Sequence, residues 1–530
     1  MQHRVLIGAL ALWMVAAVPP LPVAEKGPRG EARPLTPRDS ALHALNRLAY
    51  GPRPGEVDRI AASGVMAWID SQLDPQTLAD RGLAERERGF RILDYDRTEL
   101  ARLHVEAQRE RRARRRDTTA TDAAAAQRGR RMAGQFQALA IVRAALSERQ
   151  LYEVMVDFWT NHFNVFFGKG ADRFLTPDYV EHTIRPRALG PFQDLLIATA
   201  QSPAMLFYLD NWQSVAPGSS PPGPLSALRR RGTNGRTPKG LNENYAHELL
   251  ELHTLGVDGG YTQQDVVQVA RIFTGWSIRR PQQGAGFEFH EWAHDRGEKQ
   301  VLGVRFQAGG RMEEGIRLLQ LLANHPATMQ HVSRKLCQRF VNDDPPDGCV
   351  DDAVAAWKRT NGDMRAVIRA IVHGPDFWAP ENTRAKVKTP LEFVVSALRA
   401  VDADPDTAPR LAQVVARLGQ PLFLHVAPDG YAEREDAWVN SGALLDRMNA
   451  AVALAAGKLP GVTSDLDAVV PATPDPERLI SAVDDRILGG EMSEHTKSVI
   501  RRQISDVSDP LQARALAVGL ALGGPEFQRQ

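Results

Sequence analysis

The 530-residue chain reads as all-α, a large multi-helix body with at most one small β-hairpin. Three observations predict this. Apolar residues recur at helical spacing along most of the chain. Helix-start signals recur with them: Thr36-Pro37, Thr262 three residues before Asp265, and Thr389-Pro390 followed by Glu392. Only the Phe287–Phe306 stretch alternates in the manner of strands. An apolar fraction of 43% suffices for a sizeable core, and a formal net charge of +1 gives no global argument for nucleic acid or a membrane surface.

In chain order, His3 and Arg4 precede an apolar run from Val5 to Val18 and then small residues near Ala24. That run is too short for a membrane span, and residues 1–24 read as a secretory signal peptide with a flexible leader at 25–35. The mature chain, with no later span, is expected to be exported to the periplasm or beyond. Residues 36–379 are expected to form the main helical domain and 380–530 a C-terminal helical part packed on it. Exposed insertions are expected near 109–131, where Arg109–Arg116 holds six arginines in eight positions, and at 214–240, rich in Pro, Gly, Ser and Arg. The arginine run fits a solvated helix better than an anionic-polymer patch, and no nucleic-acid partner is expected. Cys337 and Cys349, separated by a polar loop, either close a small disulfide in an oxidising compartment or remain two thiols. Two helices end alike, at Gly374-Pro-Asp-Phe377 and Gly524-Pro-Glu-Phe527, which suggests one helix-stop device used twice.

Polar chemistry concentrates in two stretches. LYEVMVDFWTNHFNVFF, Leu151 to Phe167, sets Asn161, His162 and Asn164 among aromatic residues, where buried polar groups need partners. In Asn242 to Trp276, an α-helix would bring Asn244, Glu248 and Glu251 onto one face at i, i+4 and i+7, with His253 before the Gly256 stop. His162, Glu248, Glu251 and His253 are therefore the candidate catalytic residues. Asn161, Asn164 and Asn244 would orient substrate or water, and Glu248, Glu251 and His162 could ligate a transition metal. The alternative is architectural: both glutamates accept from Asn161, Asn164, Arg185 or Arg271 and hold helices in register. His247-Glu248 is similar to the start of a zinc-protease helix, but Glu251 stands where the second histidine belongs. Neither a nucleophile elbow nor a phosphate loop is present.

Several phrases in order, NENYAHELLELHTLGVDGGYTQQDV, ARIFTGW, FWTNHFNVF, SPAMLFYLD, HDRGEKQVLG, RKLCQRFV, KVKTPLEFV and GPEFQ, resemble the bacterial family catalogued as domain of unknown function 1800. The likeness runs from about Ala41 to Gln528. It implies an exported, mostly helical protein, often encoded beside a sulfatase-like protein, and it brings no catalytic residues. One departure is His247, where the family's pattern usually has arginine. FWTNHFNVFF is also similar to the distal helix of haem peroxidases, without a matching proximal histidine. Three functions remain: a cell-envelope enzyme, hydrolytic or oxidative, with a Glu/His/Asn site and a metal; a non-catalytic binding or assembly factor acting with the sulfatase-like partner; and, as a minor alternative, a haem-dependent peroxidase-like protein. An enzyme predicts these side chains converging at an open pocket. A scaffold predicts them buried and mutually paired.

Overall fold

A computed structural model describes residues 35–116, 124–219 and 240–530. The expected signal peptide, nearly all of the expected leader, and most of the 214–240 segment lie outside the described residues. The fold is 63% helical and 4% strand, so the predicted class stands. The β content is distributed differently from the single hairpin expected over 287–306. Phe287–Phe289 pairs backwards with Trp276–Ile278, while Lys299–Val301 and Val304–Phe306 form their own ladder. Leu302 and Gly303 both have positive φ, as a two-residue turn between twisted strands requires. A third ladder joins Asp404–Pro405 to Val462–Thr463. Each strand has two or three residues, too few to impose an alternation on the sequence.

The capping signals hold at the atomic level. Thr36, Thr262 and Thr389 each accept the amide three residues on, and the Asp39, Asp265 and Glu392 carboxylates accept the cap amide in return. Both Gly-Pro-acid-Phe stops also form alike. The Gly374 and Gly524 amides bond the carbonyls three residues back, and Phe377 and Phe527 turn into the core. Cys337 and Cys349 are disulfide-bonded, with Cα atoms 6.2 Å apart, tying the helix Pro326–Phe340 to Asp347–Thr360.

One hydrophobic cluster runs from Ala44 to Phe527, and a smaller one lies beside it around Ala41 and Ile60. Buried arginines stitch distant segments together. Arg399 donates to the Gly51 and Ala145 carbonyls and to Glu56 (2.7, 3.1 and 3.0 Å), and Arg339 pairs with Glu392. The helix Gln150–His162 lies in this core, its Trp159 indole donating to the Ala188 carbonyl at 2.9 Å. It carries the polar groups that matter below.

Candidate functional site

Aromatic and aliphatic residues bury most of the Gln150–His162 helix, and the Phe163 amide closes it on the Trp159 carbonyl. Its polar end meets the segment 421–438. Asn161 faces the Tyr431 backbone with both ends of its amide, Nδ2 donating to the carbonyl at 2.8 Å and Oδ1 accepting the N–H at 2.7 Å. Asn164 Nδ2 donates to the His425 and Ala427 carbonyls at 3.1 and 2.7 Å. The Tyr208 hydroxyl holds the Val426 carbonyl at 2.7 Å. Gly430 sits so close that a Cβ there would lie 2.3 Å from the Asn161 carbonyl oxygen. The two asparagines expected to orient substrate are thus engaged in fixing a loop, a role invisible in sequence because the loop contributes only backbone.

The second stretch is helical as expected, but in two forms. Asn244–Glu248 is α and Leu249–Leu255 is a π-helix. The Thr254 hydroxyl donates to the Leu249 carbonyl, five residues back, at 2.6 Å. The wider turn breaks the 3.6-residue register, and His253 is buried facing His162. His162 Nε2 lies 3.2 Å from the His253 carbonyl. A carbonyl only accepts, so Nε2 carries the proton and Nδ1 is a bare lone pair, buried without a partner. His331 completes the group from the Pro326–Phe340 helix, its ring 6.5 Å from that of His162 and in close contact with Gly256. It bonds the Leu252 backbone and leaves Nε2 unpartnered, as His253 does.

Lys335 follows His331 by one turn and makes no hydrogen bond or ion pair among the described residues. Burial, followed by the Lys335 charge, pushes His253 down to about 3 and His331 to about 4, and holds His162 well below the ordinary histidine range. All three imidazoles are neutral at pH 7. Burial also lowers Lys335, against the opposing pull of Glu433 and Asp429.

The carboxylates lie elsewhere. Glu248 is half-buried and raised by burial, with Glu251 and Asp429 adding to this and His247 opposing it. Glu251 contacts His247 Nδ1 at 3.1 Å and the Tyr261 hydroxyl at 3.4 Å. Asn244 is exposed at the helix start. The structure therefore joins His162 to His253 and turns Asn161 and Asn164 onto the 425–431 backbone, while Glu248, Glu251 and Asn244 occupy the outer face. No group of three or more His, Cys, Asp or Glu side chains among the described residues is arranged to hold a metal, so Glu248, Glu251 and His162 do not form a ligand set. The arginines named for an architectural network bond other acids, Arg185 to Glu153 and Arg271 to Asp295.

A second polar system escaped the sequence reading. Glu153, Asp157 and Thr160 share one face of the Gln150–His162 helix and line a cavity of about 40 Å³ with Tyr50, Arg143, Glu181 and Arg185. Arg185 grips Glu153 through two hydrogen bonds of 2.7 and 2.8 Å, and Arg143 pairs with Glu181 and Glu87. Asp157 has no such partner among the described residues. Burial, with Glu433 and Glu392 adding and Arg339 opposing, pushes it up to about 7. The 4-then-3 spacing of these residues was the available signal, masked by the aromatic residues around it.

The family described as "Protein of unknown function (DUF1800)" matches residues 43–529, nearly the whole chain. The chain belongs to that family. Comparison with curated proteins and with solved structures finds no match. For this DUF1800 protein, residue roles therefore rest on its own geometry, and among its described residues no helix is long and apolar enough to cross a membrane.

Proposed function

We propose that this DUF1800 protein is an exported, non-catalytic binding or assembly factor that acts with a sulfatase-like protein, and that its polar corner is the joint fixing its binding loops. The observation that carries this reading is the use of Asn161 and Asn164, whose side chains hold the 425–431 backbone rather than facing an open pocket. The surface above agrees. Val257 and Val426, 71% and 67% exposed, are the two most exposed large apolar side chains among the described residues. Val426 lies between the two carbonyls that Asn164 holds, and Val257 follows the glycine packed on His331. Rigid loops carrying apolar tips lose little entropy on association.

The test is capture of a sulfatase-like protein, the proposed partner, using purified components. Val257→Asp and Val426→Asp should each weaken capture at least tenfold with unchanged melting, and Asn164→Ala should weaken it by freeing the loop. Undiminished capture by both aspartate variants would overturn the reading.

An enzymatic reading, hydrolytic or oxidative, has one observation in its favour: three buried imidazole nitrogens without partners beside an unpaired lysine. Metal and absorbance analysis of the mature protein and of His162→Ala separates the two readings. A stoichiometric metal or chromophore, lost in the variant, would favour the enzyme.

A further inference from the structure

The cavity along the Gln150–His162 helix is unlike the rest of the buried polar system because its charges do not balance. Three carboxylates line it, Glu153, Asp157 and Glu181, against two guanidiniums, Arg143 and Arg185. Each guanidinium already has a carboxylate within hydrogen-bond distance, and Arg143 shares a further one, Glu87. On ionisation, Asp157 carries the excess negative charge. Behind it, Glu433 and Glu392 disfavour its ionisation, and Arg339, which pairs with Glu392, opposes them.

Two further oxygens at the cavity are unused. Tyr50 is 3% exposed and its hydroxyl makes no hydrogen bond among the described residues; the Asp157 charge acts on it directly. Thr160, one turn from Asp157 on the same helix, has a buried hydroxyl without a partner. The remaining walls are apolar, including Phe136, Val156, Leu391 and Phe423, with the Phe136 and Phe423 rings stacked 4.3 Å apart.

We infer that this cavity is a binding site for a small protonated primary amine, its ammonium held by the oxygens of Asp157, Tyr50 and Thr160 and its alkyl part against the phenylalanines. The chemistry selects this class in three steps. The surplus carboxylate calls for a cation, because a buried unpaired charge is costly and a buried paired one much less so. Three oxygen acceptors match the three N–H donors of a primary ammonium. Apolar walls disfavour a hard metal ion, which requires about six oxygen ligands. The cavity has room for roughly three water-sized groups, so a one- to two-carbon amine or the end of a longer one fits.

The site is separate from the loop-binding reading above, and either can fail without the other. The test is titration of the full mature chain with methylammonium chloride, followed by calorimetry and by NMR at constant ionic strength. The expected result is saturable binding that falls at least tenfold in Asp157→Asn and several-fold in Thr160→Val, with no saturable binding of sodium or tetramethylammonium. Methylammonium binding that is absent in the wild type, or equal in Asp157→Asn, would overturn the inference. So would methanol binding as tightly as methylammonium, since that would show a hydroxyl site in which charge has no part.

Discussion

Replacing Asp157 by asparagine should stabilise the protein, by an amount that depends on pH in a defined way. Burial pushes the carboxyl from its ordinary value of 3.8 up to about 7 in the folded chain. Its folded value is raised, so between those limits the native state binds the proton more tightly than the unfolded chain does. The favourable contribution is therefore fully present below pH 4 and is lost as pH rises to 7. Asparagine keeps the shape and cannot ionise. The advantage of Asp157→Asn should be near zero at pH 4, grow by at most about 1.4 kcal/mol per pH unit, and level off above pH 7. The ceiling is about 4 kcal/mol, and because Asp157 is half-buried, solvent should reduce the realised gain to about 2–3 kcal/mol. Urea unfolding of both proteins at pH 4, 5, 6, 7 and 8, without added amine, measures it. A variant less stable than wild type at pH 8, or a difference that does not change with pH, would refute the account of Asp157 as an unpaired, half-buried acid.

Three further outcomes are expected. Gly430→Ala combines a left-handed residue (φ +74°) with a Cβ driven into the Asn161 backbone, and should cost about 2–4 kcal/mol and speed proteolytic cleavage between residues 421 and 438. Cys337→Ala/Cys349→Ala should lose about 3 kcal/mol, the loop-closure contribution of a short disulfide; wild type in dithiothreitol should fall to the same stability, while the double variant should not respond to the reductant. His247→Arg retains an exposed i,i+4 partner for Glu251 and should alter unfolding free energy by less than about 0.5 kcal/mol.

What the sequence made legible was local. A capping box is a three-residue relation, so Thr262–Asp265 and Thr389–Glu392 could be read directly. His162 and His253 each stand out as a polar residue inside an apolar pattern, and the fold brings them together. The supposed face of Asn244, Glu248 and Glu251 with His253 depended on an unbroken α-helix. The π-helix at Leu249–Leu255 sends His253 inward and leaves the two acids outside. Its origin includes the Thr254 hydroxyl bond to Leu249, which a 3.6-residue pattern does not announce. His331, Lys335 and the 421–438 loop join the site only through tertiary packing. Asp157 was passed over because its neighbours in sequence are core residues.

The two polar systems lie on shared helices and feel a common charge. Asn161 and His162 close the end of the same helix whose side presents Glu153, Asp157 and Thr160. His331, Lys335 and Arg339 form a stripe at four-residue intervals on the Pro326–Phe340 helix, running from the histidine corner towards the acids behind Asp157. Glu433, on the segment that Asn161 and Asn164 anchor, raises both Lys335 and Asp157. A displacement of the loop would shift both groups in the same direction by withdrawing Glu433. The asparagine clamp is thus an electrostatic element as well as a mechanical one, since it sets the distance from one carboxylate to two separate buried groups.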